Sequence, residues 1–333
     1  MNNQIIQPYI GSSKIDSIYR RINELKKDKD VVILSHYYMS PELQVSTELG
    51  GVADFIGDSL ALSLAAKNTR AKNIVFCGVK FMAETAKILN PTRNVFISDM
   101  EAGCSLASSI TGEDVRNLKA KYPGLPIIAY INTNAETKAE CDICCTSRNA
   151  MSIARSFKED RIIFIPDVYM GQNLSSRVKA ETGKEFILWD GRCEVHEQFT
   201  SSSMESLKMI YPNAELLMHW EVPEESVNSA FADTKGVLGS TGDIISYVGK
   251  SDAKQFILAS ECDLGATLKG MYKDKEFITP CVKCPYMKKI TLENTLALLE
   301  SINTEDAMQY QIFLDDDIIS KALVPIERML EFS

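Results

Sequence analysis

The sequence is poor in histidine, with three residues in 333, and holds only two tryptophans. Nowhere does it reach the roughly 18 consecutive apolar residues of a membrane-spanning helix, so no membrane is expected as a partner. Its 36 Lys and Arg are outnumbered by 45 Asp and Glu, a net charge of -9, and no basic run is interleaved with aromatics. The electropositive face that a phosphate backbone needs is missing, which excludes nucleic acid. The stretch MNNQIIQPYIGSSKIDSIYRR has neither the basic region nor the apolar core of a secretory signal, and a cytoplasmic location is expected. Cysteine, by contrast, is plentiful, at positions 77, 104, 141, 144, 145, 193, 262, 281 and 284. In a reducing compartment these are metal ligands, catalysts or small core residues sooner than disulfides.

At 333 residues with 45% hydrophobic and 24% charged composition, the chain is too long for one core and suits two or three globular domains. Apolar β-branched runs such as VVILSHYY, NIVFCGV and NVFIS alternate with helical stretches such as SLALSLAAKN and FMAETAKILN. That alternation predicts an α/β fold with parallel sheets covered by helices on both faces. The same order of elements recurs three times. A first strand is read in VVILSHYY, PIIAYINTNAE and AELLMHWEVPE, and a second strand with its turn in ADFIGDSL, CDICCTSRNA and ADTKGVLGSTGD. A third strand and helix begin at NIVFC, RIIFI and KQFIL.

Each repeat closes on a cysteine: Cys104 in EAGCS, Cys193 in DGRCE and Cys284 in VKCPY, spaced 89 and 91 positions apart. The expected domains are 1–103 with 285–333, 104–192 and 193–284, each a three-layer αβα unit, disposed about a pseudo-threefold axis with the active site at the centre. After Cys284 the tail reads as two helices packing back onto the first domain. Ligands of open α/β sheets gather at the carboxyl ends of strands, so three such crevices aim three thiols at one cavity. Three thiolates there suit zinc or three of the four irons of a cubane cluster, leaving one position open.

GDS at 57–59, TSRN at 146–149 and GSTGD at 239–243 put small hydroxyl residues at strand-to-helix junctions, where free backbone N–H groups attract anions. Singly each is an ordinary helix cap; three facing one cavity suit a substrate with several anionic groups. The three histidines also fall in the repeats. His36 and His219 end the first strand of repeats one and three, Tyr130 takes that place in repeat two, and His196 follows Cys193 by three residues. Acid-base work is their expected use.

The stretches HYY with GDSL, FCGVKFMAETAKILNP, AGCSLA, YINTNAETKAECDICCTSRNA, WDGRCEVHEQF, GSTG and CPYMKKIT, in that order, resemble the quinolinate synthase family from about Val31 to the C-terminus. The resemblance implies condensation of iminoaspartate with dihydroxyacetone phosphate, losing phosphate and water, to give quinolinate for NAD synthesis. It implies one 4Fe-4S cluster on Cys104, Cys193 and Cys284, whose fourth iron binds substrate as a Lewis acid. Substrate contacts carry over to His36, Ser59, Tyr130, Asn132, Ser147, His196, His219 and Thr241. Acid-base roles carry over to Tyr38 and Glu221, with Glu221 reaching the open iron. An aspartate oxidase or dehydrogenase is the implied metabolic neighbour and a possible transient partner.

Two departures stand out. The HPEC-like stretch of the family is HWEV here, and the interval from Tyr38 to Asp58 is long, suggesting a modified loop over the active site. Cys281 and Cys284 form a CxxC that could switch by disulfide formation, and Ile278 stands where some relatives carry a further cysteine. Cys141, Cys144 and Cys145 read as buried small residues on a second strand, Cys77 and Cys262 likewise on third strands. Rival readings are an electron carrier with Cys281 as fourth ligand, a cluster dehydratase without this repeat, and a zinc-bound scaffold.

Overall fold

A computed structural model describes residues 13–332; residues 1–12 and Ser333, parts of the expected first domain, lie outside the described residues. The first unit runs α1 (Ser13–Asp28), β1 (Val31–His36), β2 (Phe55–Gly57), α2 (Ser59–Asn68), β3 (Asn73–Cys77), α3 (Lys80–Leu89) and β4 (Asn94–Phe96). The second holds α4 (Ser105–Ser108), α5 (Gly112–Lys121), β5 (Ile127–Tyr130), α6 (Ala135–Lys138), β6 (Ile143–Cys145), α7 (Ala150–Ser156), β7 (Arg161–Ile165), α8 (Val168–Thr182) and β8 (Glu185–Leu188). The third holds α9 (Ser201–Ile210), β9 (Glu215–His219), α10 (Glu224–Phe231), β10 (Gly236–Gly239), α11 (Thr241–Lys250), β11 (Gln255–Ala259), α12 (Cys262–Met271) and β12 (Glu276–Ile278). The tail adds α13 (Leu292–Ser301) and α14 (Asp316–Leu330).

Each unit builds one four-stranded sheet, and the strand order is the same three times: β2-β1-β3-β4, β6-β5-β7-β8 and β10-β9-β11-β12. Every pairing is parallel. The chain is thus an α/β protein of three similar αβα units. The central strands are largely apolar and, apart from Glu215 at the start of β9, buried along their length because helices cover both faces. In the third sheet the period of two is plain. Leu216 and Met218 with Ile257 and Ala259 pack against Met204 of α9 and Val227 and Ala230 of α10, while Leu217, Phe256 and Leu258 join the main core with α11 and α12.

The repeat extends past each cysteine. Thr111, Thr200 and Thr291, each seven positions after a repeat cysteine, cap the N-termini of α5, α9 and α13 with their hydroxyl oxygens. The tail divides. α13 packs on α1, where Lys29 Nζ donates to the carbonyls of Leu299, Glu300 and Ile302 at 2.8–2.9 Å. Beyond it, residues 310–312 bond to the edge of the first sheet, Ile97 N to Tyr310 O at 2.9 Å and Ile312 N to Val95 O at 2.8 Å. α14 contacts α3 but also β6 and α6, so it lies between units one and two, where the sequence placed the whole tail on the first.

The long interval after Tyr38 does not cover the site. Met39, Leu43, Val45 and Val52 are buried, and the segment is tied to α1 and α12: Tyr19 donates to Glu42 O at 2.7 Å, Lys26 Nζ to Val52 O at 2.7 Å, and Thr267 to Gln44 Oε1 at 2.6 Å. No helix among the described residues is long and apolar enough to cross a membrane.

Candidate active site

The central strands β1, β5 and β9 end on His36, Tyr130 and His219, and all three side chains line one pocket of about 760 Å³, its solvent-open mouth included. The second strands deliver the hydroxyl residues. The helix caps prove to be Asp58, Asn149 and Ser240. Asp58 accepts from Ala61 N at 2.9 Å, and Ser240 accepts from Asp243 N at 3.1 Å in a capping box. Ser59 and Thr241 therefore sit one place inside α2 and α11, released from capping, and line the pocket with Ser147 and Asn132. No Lys or Arg lines it among the described residues. Asn132 lines the pocket, and its Oδ1 is buried without a hydrogen-bond partner.

Cys104, Cys193 and Cys284 line the same pocket, one from each end-of-repeat loop, and all three are free thiols. They share a local device. Each carbonyl accepts from the N–H four residues on, that of Ser108, Glu197 or Lys288 at 3.0–3.2 Å, so each cysteine opens a single helical turn. The sulfurs face the free N–H groups of that turn: Leu106 and Ala107 for Cys104, His196 for Cys193, Tyr286 and Met287 for Cys284. Burial pushes the Cys104 thiol up to about 12, with Cys284 adding to the rise, and pushes Cys193 and Cys284 up likewise. The N–H groups oppose that shift. Partly buried sulfurs, with Cys284 disfavouring the charge of Cys104 and Cys104 that of Cys193, yet supplied with donors for the thiolate form, fit a positively charged metal group. This donor set could hold a metal centre; Cys104 meets it as a helix N-cap.

A chain of polar contacts crosses the pocket floor. Tyr38 Oη lies 3.1 Å from Thr241 Oγ1 and 2.9 Å from Ser260 Oγ. Ser260 Oγ lies 3.3 Å from His196 Nε2, and His196 Nδ1 lies 2.9 Å from Glu221 Oε2. Glu221 Oε1 accepts from the Tyr130 hydroxyl at 2.6 Å. Burial pushes the Tyr38 and Tyr130 phenols well up, so both stay protonated donors. Burial alone would raise Glu221 too, but the neighbouring His196 and His219 with the bonds from His196 and Tyr130 outweigh it and hold the carboxylate ionised. Burial drives His36 and His219 down to about 3, which keeps both imidazoles neutral.

Glu221 is held from another unit. Asn173 of α8 donates its amide hydrogens to Trp220 O at 2.9 Å and Val222 O at 2.8 Å, gripping the backbone on both sides of Glu221. Trp220 and Val222, the departures from the family pattern, are buried, with the Arg177 guanidinium 5.1 Å from the Trp220 ring centroid. The Cys284 loop is tied by Glu261, whose Oε1 accepts from Cys284 N at 3.3 Å, and by Lys288, which bonds Tyr38 O at 2.6 Å and Glu261 Oε1 at 3.2 Å and also bonds Asp263.

Thus every residue proposed from the sequence for substrate, acid-base or metal contact lines this one pocket. The sequence reading did not single out Ser260, Asn173 or Glu261. A polar residue at the end of the third strand, in a threefold repeat, is the signal that could have found Ser260. Two cysteine expectations are corrected. Cys262 lies at the start of α12 and not on a strand, and it is disulfide-bonded to Cys281, with Cα atoms 4.5 Å apart. Cys281 meets it because the chain returns past the α12 N-terminus, Cys262 N donating to Val282 O at 2.9 Å. It is therefore not bonded to Cys284, nor free to serve as a fourth ligand. Cys77, Cys141, Cys144 and Cys145 are buried free thiols; Cys77, Cys144 and Cys145 lie on strands and Cys141 just before β6.

The family model described as quinolinate synthetase A protein matches residues 20–331. The chain belongs to this family. Among curated relatives, quinolinate synthase 2 of Mesorhizobium japonicum is 43% identical over 309 residues, 93% of this chain and 89% of that protein. The quinolinate synthase of Caulobacter vibrioides is 41% identical over 315 residues, 93% of this chain and 80% of the relative. That of Xylella fastidiosa is 42% identical over 318 residues, 95% and 88% respectively. Family membership thus extends over all three units and the pocket between them.

Proposed function

We propose that the chain is a quinolinate synthase, a transferase of NAD biosynthesis that condenses iminoaspartate with dihydroxyacetone phosphate and releases phosphate and water. The observation that carries this reading is the meeting in one pocket of three thiols, each from the end of a different repeat, with Glu221 and Tyr38. Cys104, Cys193 and Cys284 would hold a 4Fe-4S cluster. When bound, it supplies Lewis-acid chemistry at an iron without a cysteine ligand, easing departure of a hydroxyl as water.

The remaining work falls to side chains. With no Lys or Arg in the lining, the carboxylates and phosphate of the substrates are bound by Ser59, Ser147 and Thr241 and by the N-terminal amides of α2 and α11. Asn132, Tyr130, His36 and His219 contribute neutral hydrogen-bonding groups. Glu221, ionised, accepts a proton at a carboxylate oxygen, and Tyr38 donates one from its phenol; His196 stands between them. The domain boundaries at Cys104 and Cys193, a cytoplasmic site of action and a transient link to an aspartate oxidase or dehydrogenase are parts of the same reading. An anaerobic assay for quinolinate from the two precursors tests it: the wild-type chain forms product and Cys193→Ala does not. No product from the cluster-loaded wild type contradicts it.

A further inference from the structure

Three donor atoms of different kinds meet at one side of the pocket. Cys193 Sγ lies 3.3 Å from His196 Nδ1, His196 Nδ1 lies 2.9 Å from Glu221 Oε2, and the ligand atoms of all three residues fall within 4.8 Å of one another. A tetrahedral ion with Zn–S of about 2.3 Å and Zn–N or Zn–O of about 2.0–2.1 Å spaces its ligand atoms by roughly 3.3–3.6 Å. The Cys193–His196 pair already stands at that spacing; an ion between the three would spread the His196–Glu221 pair slightly and draw Cys193 and Glu221, now within 4.8 Å, toward it.

The atoms turned away from this point are already engaged. His196 Nε2 lies against Ser260 Oγ at 3.3 Å, Glu221 Oε1 is bonded by the Tyr130 hydroxyl at 2.6 Å, and the His196 backbone N–H faces the Cys193 sulfur. Such outer partners are what orient metal ligands and fix the imidazole tautomer. Because Nε2 is taken by a hydroxyl while Nδ1 faces both other donors, Nδ1 is the nitrogen offered to an ion.

We propose that Cys193, His196 and Glu221 form a mononuclear site for a divalent cation of borderline softness, Zn²⁺, in the chain that lacks its cluster. One sulfur, one nitrogen and one oxygen leave the fourth position open to the pocket, as in zinc sites with three protein ligands. As the Zn–S bond forms, the Cys193 thiol proton leaves to solvent; His196 binds as neutral imidazole and Glu221 as carboxylate. The consequence rests on the cluster reading above: Cys193 serves one metal group at a time, so zinc in this site blocks cluster assembly and occupies the carboxylate assigned to proton transfer.

The test uses the full chain, stripped anaerobically of iron and sulfide, titrated with Co²⁺ alone and then with Zn²⁺ as displacer. One Co²⁺ per chain is expected, with the visible bands of tetrahedral cobalt and a thiolate charge-transfer band. His196→Ala and Glu221→Gln weaken binding by more than about tenfold, whereas Cys104→Ala and Cys284→Ala leave it unchanged. His196→Gln, which keeps a polar partner for Ser260, gives the same discrimination should His196→Ala fail to fold. Binding that survives His196→Ala and Glu221→Gln but is lost in Cys104→Ala puts the ion on the three sulfurs and overturns the proposal; absence of stoichiometric binding to the wild type also overturns it. Reconstitution with iron and sulfide reports on the cluster reading separately, because it fails in Cys104→Ala and succeeds in Glu221→Gln whatever the cobalt result.

Discussion

The Tyr38 hydroxyl lies 2.9 Å from Ser260 Oγ, and the same serine oxygen lies 3.3 Å from His196 Nε2. One small side chain thus joins the phenol two residues beyond the first repeat's central strand to the imidazole that touches Glu221. Ser260→Ala removes that link and leaves Tyr38 with Thr241 alone. A fall in kcat of about tenfold is expected, with KM within a factor of two and a stability loss of about 1 kcal/mol. Steady-state kinetics beside a denaturant titration check it, and an unchanged kcat contradicts the linking role.

Glu221→Gln keeps the shape of the side chain and its ability to meet Tyr130 and His196, but it removes the base. Turnover should drop by about 10²–10⁴-fold, the range for a positioned acid-base group, while iron and sulfide content stay at wild-type levels. Loss of cluster in this variant would show that Glu221 acts on the metal group and not on a proton.

Asn173 works at a distance from the chemistry. Its two amide hydrogens fix the carbonyls of Trp220 and Val222, and the residue is fully buried. Asn173→Ala leaves both carbonyls without this donor, at a cost of about 1–3 kcal/mol, and frees the Glu221 loop. In the fraction that remains folded, kcat should fall while KM for the two substrates changes little. A variant that loses stability but keeps kcat per folded molecule would mark Asn173 as purely structural.

Burial holds the Asp58 carboxyl above the ordinary carboxylate range, against the opposing bond from Ala61 N–H and the Arg148 guanidinium. A carboxyl whose folded pKa exceeds its unfolded value, about 4, takes up protons on folding. Its contribution is most favourable below that unfolded value and is lost as pH rises through the folded one. Asp58→Asn keeps an oxygen to cap α2 and should flatten the decline of Tm as pH rises above the unfolded carboxyl value of about 4. A decline as steep as the wild type's would contradict it.

The repeat, the strand order and the pocket lining were legible because they rest on period and position. Three first strands ending on His36, Tyr130 and His219, and three cysteines at near-equal spacing, constrain one another. What escaped was set by the return of the chain in space. Cys262 reads as a third-strand residue until β11 is seen to stop at Ala259, three residues before it; only then does its sulfur meet Cys281. Asn173 stands midway along α8 with nothing in its neighbourhood to mark it, since its partners lie 47 and 49 residues away. The stretch from Tyr38 to Asp58 looked like a cover for the site because it is long; its buried Met39, Leu43 and Val52 draw it down onto α1 instead.

The convergence of three sulfurs on one metal group is tested most directly by iron and acid-labile sulfide counts after anaerobic reconstitution of single Cys→Ser variants. Cys104→Ser, Cys193→Ser and Cys284→Ser should each lose the cluster, while Cys77→Ser and Cys144→Ser, whose thiols lie in the strands of units one and two, should retain a full complement. A full complement in any of the first three, or its loss only in the last two, would contradict the account.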